Sequence, residues 1–106
     1  MRLPVLALLF ALAPLAQAAE PTFEIAIRDH RFEPSEITVP ANTRINLIVK
    51  NEDATPEEFE SKKLNREKVI PGKSQATIAI GPLKAGEYPF VGEFHEKTAA
   101  GKLIAR

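Results

Sequence analysis

From Thr22 onward the chain repeats short runs in which apolar residues alternate with polar ones, divided by turn residues. "TFEIAIR" (22–28) places Phe23, Ile25 and Ile27 on one face, "SEITVP" (35–40) places Ile37 and Val39, and "RINLIVK" (44–50) places Ile45, Leu47 and Val49. "ATIAIG" (76–81), "GEYPFV" (86–91) and the closing "KLIAR" keep the same two-residue period, and weaker strand patterns lie near "EEFES" and "EKVI". This is the period of strands with one buried face, and no helical period of useful length competes with it. "PANT" (40–43), "PGKS" (71–74) and "GPLKAG" (81–86) supply turn chemistry between the runs. Seven to eight short strands punctuated in this way predict an all-β fold, a two-sheet β-sandwich.

A change of parity marks one turn. Ile25 and Ile27 are odd-numbered, whereas Phe32, the next large apolar residue, is even, so "RDHR" (28–31) is predicted as the irregular end of the first strand, a bulge or a turn. His30 then lies at one pole of the sandwich. If the strands run up and down between two poles, the third strand rises to "NEDATPEEFE" (51–60), and "GEYPFV" rises from the "GPLKAG" turn to deliver "GEFHEK". His30, Asp53, Glu57, Glu58, Glu93, His95 and Glu96 are thereby expected at one end, from three loops. Two imidazoles among carboxylates are a donor set for a divalent metal such as copper, iron or zinc. Taken singly, acidic loop residues are more often solvated surface.

Composition narrows the chemistry. The opening "MRLPVLALLFALAPLAQAAE" has one arginine, an apolar stretch from Leu3 to Ala16, and small residues at Ala16-Gln17-Ala18. It reads as a secretory signal peptide over residues 1–18, leaving a domain over residues 19–106 in the periplasm. Its apolar core is shorter than the ~20 residues of a spanning helix, so no stable membrane insertion is expected after cleavage. Without Arg2, thirteen basic residues face fourteen acidic ones, a net charge of −1, which disfavours a nucleic-acid partner. There is no cysteine, and the single methionine is Met1, so any metal held by residues 19–106 meets nitrogen and oxygen alone.

Two longer stretches resemble the cupredoxin superfamily. "FEPSEITVPANTRINLIVKN" is similar to its F-x-P…I-x-V-x-x-G-x-x-I strand pair, with Asn42 or Thr43 where a turn glycine is common, and "GEYPFVGEFHEKTAAGKLIAR" is similar to its final G-x-Y-x-F-x-C…H…M-x-G-x-L segment. The resemblance implies a Greek-key sandwich and covers Phe23 to Arg106. It also implies where blue-copper ligands would lie, and three of the four are replaced: Pro56-Glu57 stands for Pro-His, Gly92 for the cysteine, and Ala100 near the methionine, while His95 matches the second histidine. "IRDHRFEP", "NEDATPEEFES" and "GEFHEKTAAGKL" resemble, more narrowly, the small cysteine-free periplasmic proteins related to the cupredoxin-like domain of the EfeO iron-uptake component. That likeness implies a metal-related role in iron import beside iron-permease components.

The expected function is therefore a periplasmic, non-enzymatic accessory that binds copper or iron through His95, Glu57, Glu58, Glu93 and His30. Glu57 and His95 come from the resemblance, and the others from the inferred topology. Two other readings stay open: a metal-free module docking onto a permease, with the basic stretch "KKLNREK" (62–68) as a docking surface, and a metal oxidase in its own right. No catalytic spacing of serine, cysteine or paired carboxylates supports the last.

Overall fold

A computed structural model describes residues 20–106, together with Arg2 and Pro4; the rest of the expected signal peptide lies outside the described residues. Among the described residues nine strands follow in order: β1 (Thr22–Arg28), β2 (Arg31–Glu33), β3 (Glu36–Val39), β4 (Ile45–Asn51), β5 (Glu57–Ser61), β6 (Arg66–Ile70), β7 (Ser74–Ile80), β8 (Gly86–Gly92) and β9 (Ala100–Ala105). One turn of 3-10 helix, Glu93–His95, lies between β8 and β9. The count exceeds the expected seven to eight because Arg31–Glu33, with one apolar residue, forms a short strand of its own. Both weak candidates are strands, as β5 and β6. Among the described residues no helix is long and apolar enough to cross a membrane.

The strands form two sheets, β2-β1-β4-β7 and β3-β9-β8-β5-β6. β1 runs parallel to β4, and β3 parallel to β9, so the chain changes sheets between β2 and β3, across Pro34-Ser35. The alternation read from sequence sets which residues meet between the sheets: Ile25, Ile27, Ile45, Leu47, Val49, Phe59, Ile70, Ile80, Phe90 and Leu103 are all at most 2 % exposed. Each such side chain contributes roughly 1.5–3 kcal/mol of burial free energy. With no cysteine to cross-link it, the sandwich depends on this packing.

Toward one pole the core ends in three phenylalanines. Phe32 from β2 meets Phe90 from β8 edge-on at 4.9 Å and 89°, and Phe59 from β5 lies 4.9 Å from Phe90. Side chains alternate along a strand, so the residues two places beyond Phe59 and Phe90 toward this pole, Glu57 and Gly92, keep the inward orientation. The sheets thus aim those positions over an aromatic floor.

Candidate metal centre

His30 reaches the pole through a tight hairpin. Arg28 is paired with Arg31, and Ile27 with Phe32, leaving only Asp29 and His30 to turn the chain. Both have positive φ, 50° and 57°, the pattern of a type I′ turn whose twist matches the flanking strands. This resolves the parity change: residues opposite one another across the hairpin share a face, so odd Ile27 and even Phe32 both enter the core. Asp53 clamps the turn, because its two carboxylate oxygens accept the N–H groups of Asp29 at 2.9 Å and His30 at 3.0 Å. Burial pulls the Asp53 carboxyl upward, but those two N–H groups, with the nearby His30 and Lys73, outweigh it and hold it below its ordinary value. Asp53 is placed in turn by buried Asn51, whose Oδ1 accepts the Asp53 N–H and whose amide donates to the carbonyls of Thr55 and Ile70.

Glu57 opens β5 and is 1 % exposed. A carboxylate so far from water needs partners, and it has three. Oε1 accepts the backbone N–H groups of Glu58 and Phe94, each at 3.0 Å, and Oε2 lies 2.5 Å from Nδ1 of His95. The 3-10 turn that carries His95 is fixed behind it, since the His95 carbonyl accepts the N–H groups of Thr98 and Ala99. The His95 ring then stacks on His30, with centroids 3.6 Å apart and planes 14° from parallel. One donor atom from each of His30, Glu57 and His95 lies within 4.8 Å of the others.

Space for the carboxylate comes from Gly92. A Cβ at that position would lie 2.7 Å from the Ala99 Cβ and 2.8 Å from Cδ of Glu57. The Glu57 side chain therefore occupies the volume into which any residue 92 side chain would project.

Three of the five expected metal residues, His30, Glu57 and His95, are brought together, and the other two are not part of that group. β5 explains the division: Phe59 points into the core, so Glu57 points inward with it, while Glu58 projects from the opposite face of the second sheet. Glu58 and Glu93 instead meet Glu60 there, again with donor atoms within 4.8 Å. Glu96 belongs to neither group. Phe59 is core, whereas Phe94, beside His95, is 50 % exposed. The basic stretch spans the β5–β6 turn and the start of β6, with Leu64 buried and Lys63 over the Tyr88 ring.

The outer carboxylates crowd one another. Proton sharing with Glu67 and Glu93, reinforced by burial and by their like charge, pushes the Glu58 carboxyl up to about 8 from 4.5. Burial, with Glu93 and Glu67 nearby, raises Glu60 as well. A raised carboxyl favours the folded state while the folded protein holds the extra proton, so stability is full below about pH 4.5 and declines as pH rises to about 8. In metal-free protein Glu58→Gln is expected to remove that decline and to raise the unfolding temperature at pH 9 by about 4–8 °C, on the order of 1 kcal/mol. Thermal melts of both proteins from pH 4 to 9 check this; parallel pH profiles would contradict it.

Residues 2–105 match the cupredoxin-like domain family. The chain belongs to that family. An uncharacterised protein of Rickettsia prowazekii (strain Madrid E) is 46 % identical over 81 residues, 76 % of this chain and 65 % of that protein, so the chain spans just under two thirds of its relative's length. Among solved structures, auracyanin A, a "blue" copper protein from Chloroflexus aurantiacus, superposes with a TM-score of 0.69 at 17 % identity, over 80 % of this chain and 98 % of that one. The metal-binding domain of the Streptococcus pneumoniae D39 Cu(I)-exporting P-type ATPase CopA, solved with Cu(I), gives 0.70 at 12 % identity, covering 86 % and 91 %. Amicyanin from Paracoccus versutus gives 0.63 at 18 %, covering 86 % of each. At such identities the likeness is one of fold.

In the blue-copper pattern that the sequence resembles, positions 57 and 92 would carry a histidine and a cysteine. Here the Glu57 side chain fills the space that a Cβ at residue 92 would enter. Two imidazoles and a carboxylate do not fit a thiolate-ligated blue centre. They fit Cu(II) or iron, which accept nitrogen and oxygen donors.

Proposed function

We propose that this cupredoxin-like protein is a periplasmic metal-binding accessory, not an enzyme, that holds Cu(II) through His30, Glu57 and His95 and serves iron uptake beside a permease of the EfeO-associated kind. The observation that carries the reading is the meeting of His30, Glu57 and His95, from a hairpin turn, the start of β5 and the 3-10 turn, within 4.8 Å. The backbone N–H groups of Glu58 and Phe94 already anchor the buried carboxylate; the His95 imidazole bound to its other oxygen, with the His30 ring stacked on His95, adds nitrogen donors that a purely structural glutamate does not call for. Copper-binding proteins among the structural neighbours support copper over other ions, and the resemblance to the small periplasmic cysteine-free proteins supports the setting.

Within this reading the chain's own groups have distinct tasks. Glu57 neutralises part of the ion's charge and, through the N–H groups of Glu58 and Phe94, is anchored before any ion arrives. His95 contributes an imidazole that ligates only when a ring nitrogen is free of its proton, so protons compete with the ion and affinity falls on acidification. Asp53 presents His30. Bound Cu(II) would supply a one-electron acceptor suited to keeping iron oxidised during delivery.

The test is a titration of metal-stripped protein with Cu(II) followed by EPR. One tight site with nitrogen hyperfine structure is expected, and His95→Ala is expected to weaken it at least a hundredfold. Weak binding of several ions, unchanged in His95→Ala, would overturn the metal reading and leave the docking module, whose partner binding is indifferent to the histidines.

A further inference from the structure

Glu58 is a buried acid that the imidazole site does not use. It is 5 % exposed, although it projects from the outer face of β5, and its Oε1 has no hydrogen-bond partner. Buried carboxylate oxygens are rarely left in this condition, because desolvation without a partner is costly. The groups around it deepen the difficulty. Glu60 follows on the same face, Glu67 stands directly across from Glu60 on β6, and Glu93 leans in from the 3-10 turn. Like charges facing each other across a strand pair destabilise it. Among the described residues none of these four acids forms an ion pair with lysine, arginine or histidine.

A positive ligand would supply what this face lacks. One oxygen from each of Glu58, Glu60 and Glu93 already lies within 4.8 Å of the others. Beside them runs an open groove of about 510 Å³ bordered by Glu60, Glu93 and Glu96, with room for an ion that keeps part of its water. The donors are oxygen alone, which suits hard ions such as Ca²⁺ and Mn²⁺ and discriminates against ions that prefer imidazole or thiolate. We propose that Glu58, Glu60 and Glu93, with Glu67 beside them, form a second cation site for a hard divalent ion, back to back with the imidazole site across β5. The two sites share strand and helical turn, Glu57 with Glu58 and His95 with Glu93, but no side chain. The second site does not depend on copper occupying the first.

The experiment is a titration of the purified protein with Mn²⁺, reading the loss of the free-ion EPR signal, with Ca²⁺ as competitor. One equivalent should bind and be displaced by Ca²⁺. Glu58→Gln and Glu60→Gln should each weaken Mn²⁺ at least tenfold, while His30→Ala, which lies in a different loop and removes an imidazole donor, should leave it unchanged. Should Glu58→Gln fail to fold, partly exposed Glu60 decides the matter. Wild-type affinity in Glu60→Gln, no Mn²⁺ binding by the unaltered protein at millimolar ion, or loss of Mn²⁺ binding in His30→Ala would each overturn the proposal. Failure of copper binding alone would leave it standing.

Discussion

Glu57→Ala is expected to cost about 3 kcal/mol of stability and to abolish copper binding together. Removing the carboxylate leaves the N–H groups of Glu58 and Phe94 without an acceptor, takes the partner from Nδ1 of His95, and opens a void at the top of the core. The informative comparison is Glu57→Gln. Its amide oxygen can still accept both N–H groups, and its volume is unchanged, so it should lose no more than about 1 kcal/mol. Its remaining amide nitrogen cannot ligate, so copper affinity should still fall at least a hundredfold. Urea unfolding and copper titration of the three proteins separate the roles. If Glu57→Gln kept wild-type copper affinity, Glu57 would be a structural acid and not a ligand.

Gly92→Ala is expected to be nearly as damaging, from a change of one methyl group. The residue has ordinary extended backbone, with φ −90° and ψ 103°, so the penalty is one of space and not of conformation. The new Cβ would press on the Ala99 Cβ at 2.7 Å and on the Glu57 carboxyl carbon at 2.8 Å, and β8 and the Ala99 loop are tied by the Gly92 N–H to the Ala99 carbonyl. Overpacking of this kind costs about 3 kcal/mol. The yielding group is the Glu57 side chain, so copper affinity should drop at least tenfold as the carboxylate leaves His95. An unfolding midpoint and copper affinity equal to those of the unaltered protein would show that the pole has slack the structure does not display.

Much of this arrangement was legible in the chain. β1, β4, β7 and β8 announce themselves through alternation, because each buries one face and exposes the other. β2 did not, since a three-residue strand holding only Phe32 is too short to show a period. β5 read weakly for a different reason: "EEFES" looks like surface, yet Glu57 and Glu58 are both buried, the first because backbone N–H groups and an imidazole satisfy it. The convergence of His30, Glu57 and His95 followed from up-and-down topology. The separation of Glu57 from Glu58 follows only from the register of β5, in which Phe59 assigns odd positions to the core, and a strand of five residues with one apolar side chain carries that register weakly. The parity change placed a bulge or a turn at residues 28–31, and the structure makes it a turn at Asp29-His30; its hairpin form carries no glycine signal, the backbone N–H groups being held instead by Asp53 from 23 and 24 residues away.

The phenylalanine floor links the pole to the rest of the molecule. His30 precedes Phe32, Glu57 precedes Phe59 and Gly92 follows Phe90, each by two residues, so the three segments at the pole hang from three rings in mutual contact. Any ion taken up there is bound, in effect, to the junction of both sheets. Occupancy and folding then draw on one equilibrium: a bound ion adds RT ln(1 + [ion]/Kd) to the cohesion of the whole sandwich. In a chain without a disulfide, the concentration of such an ion outside the molecule would set part of how stable the fold is.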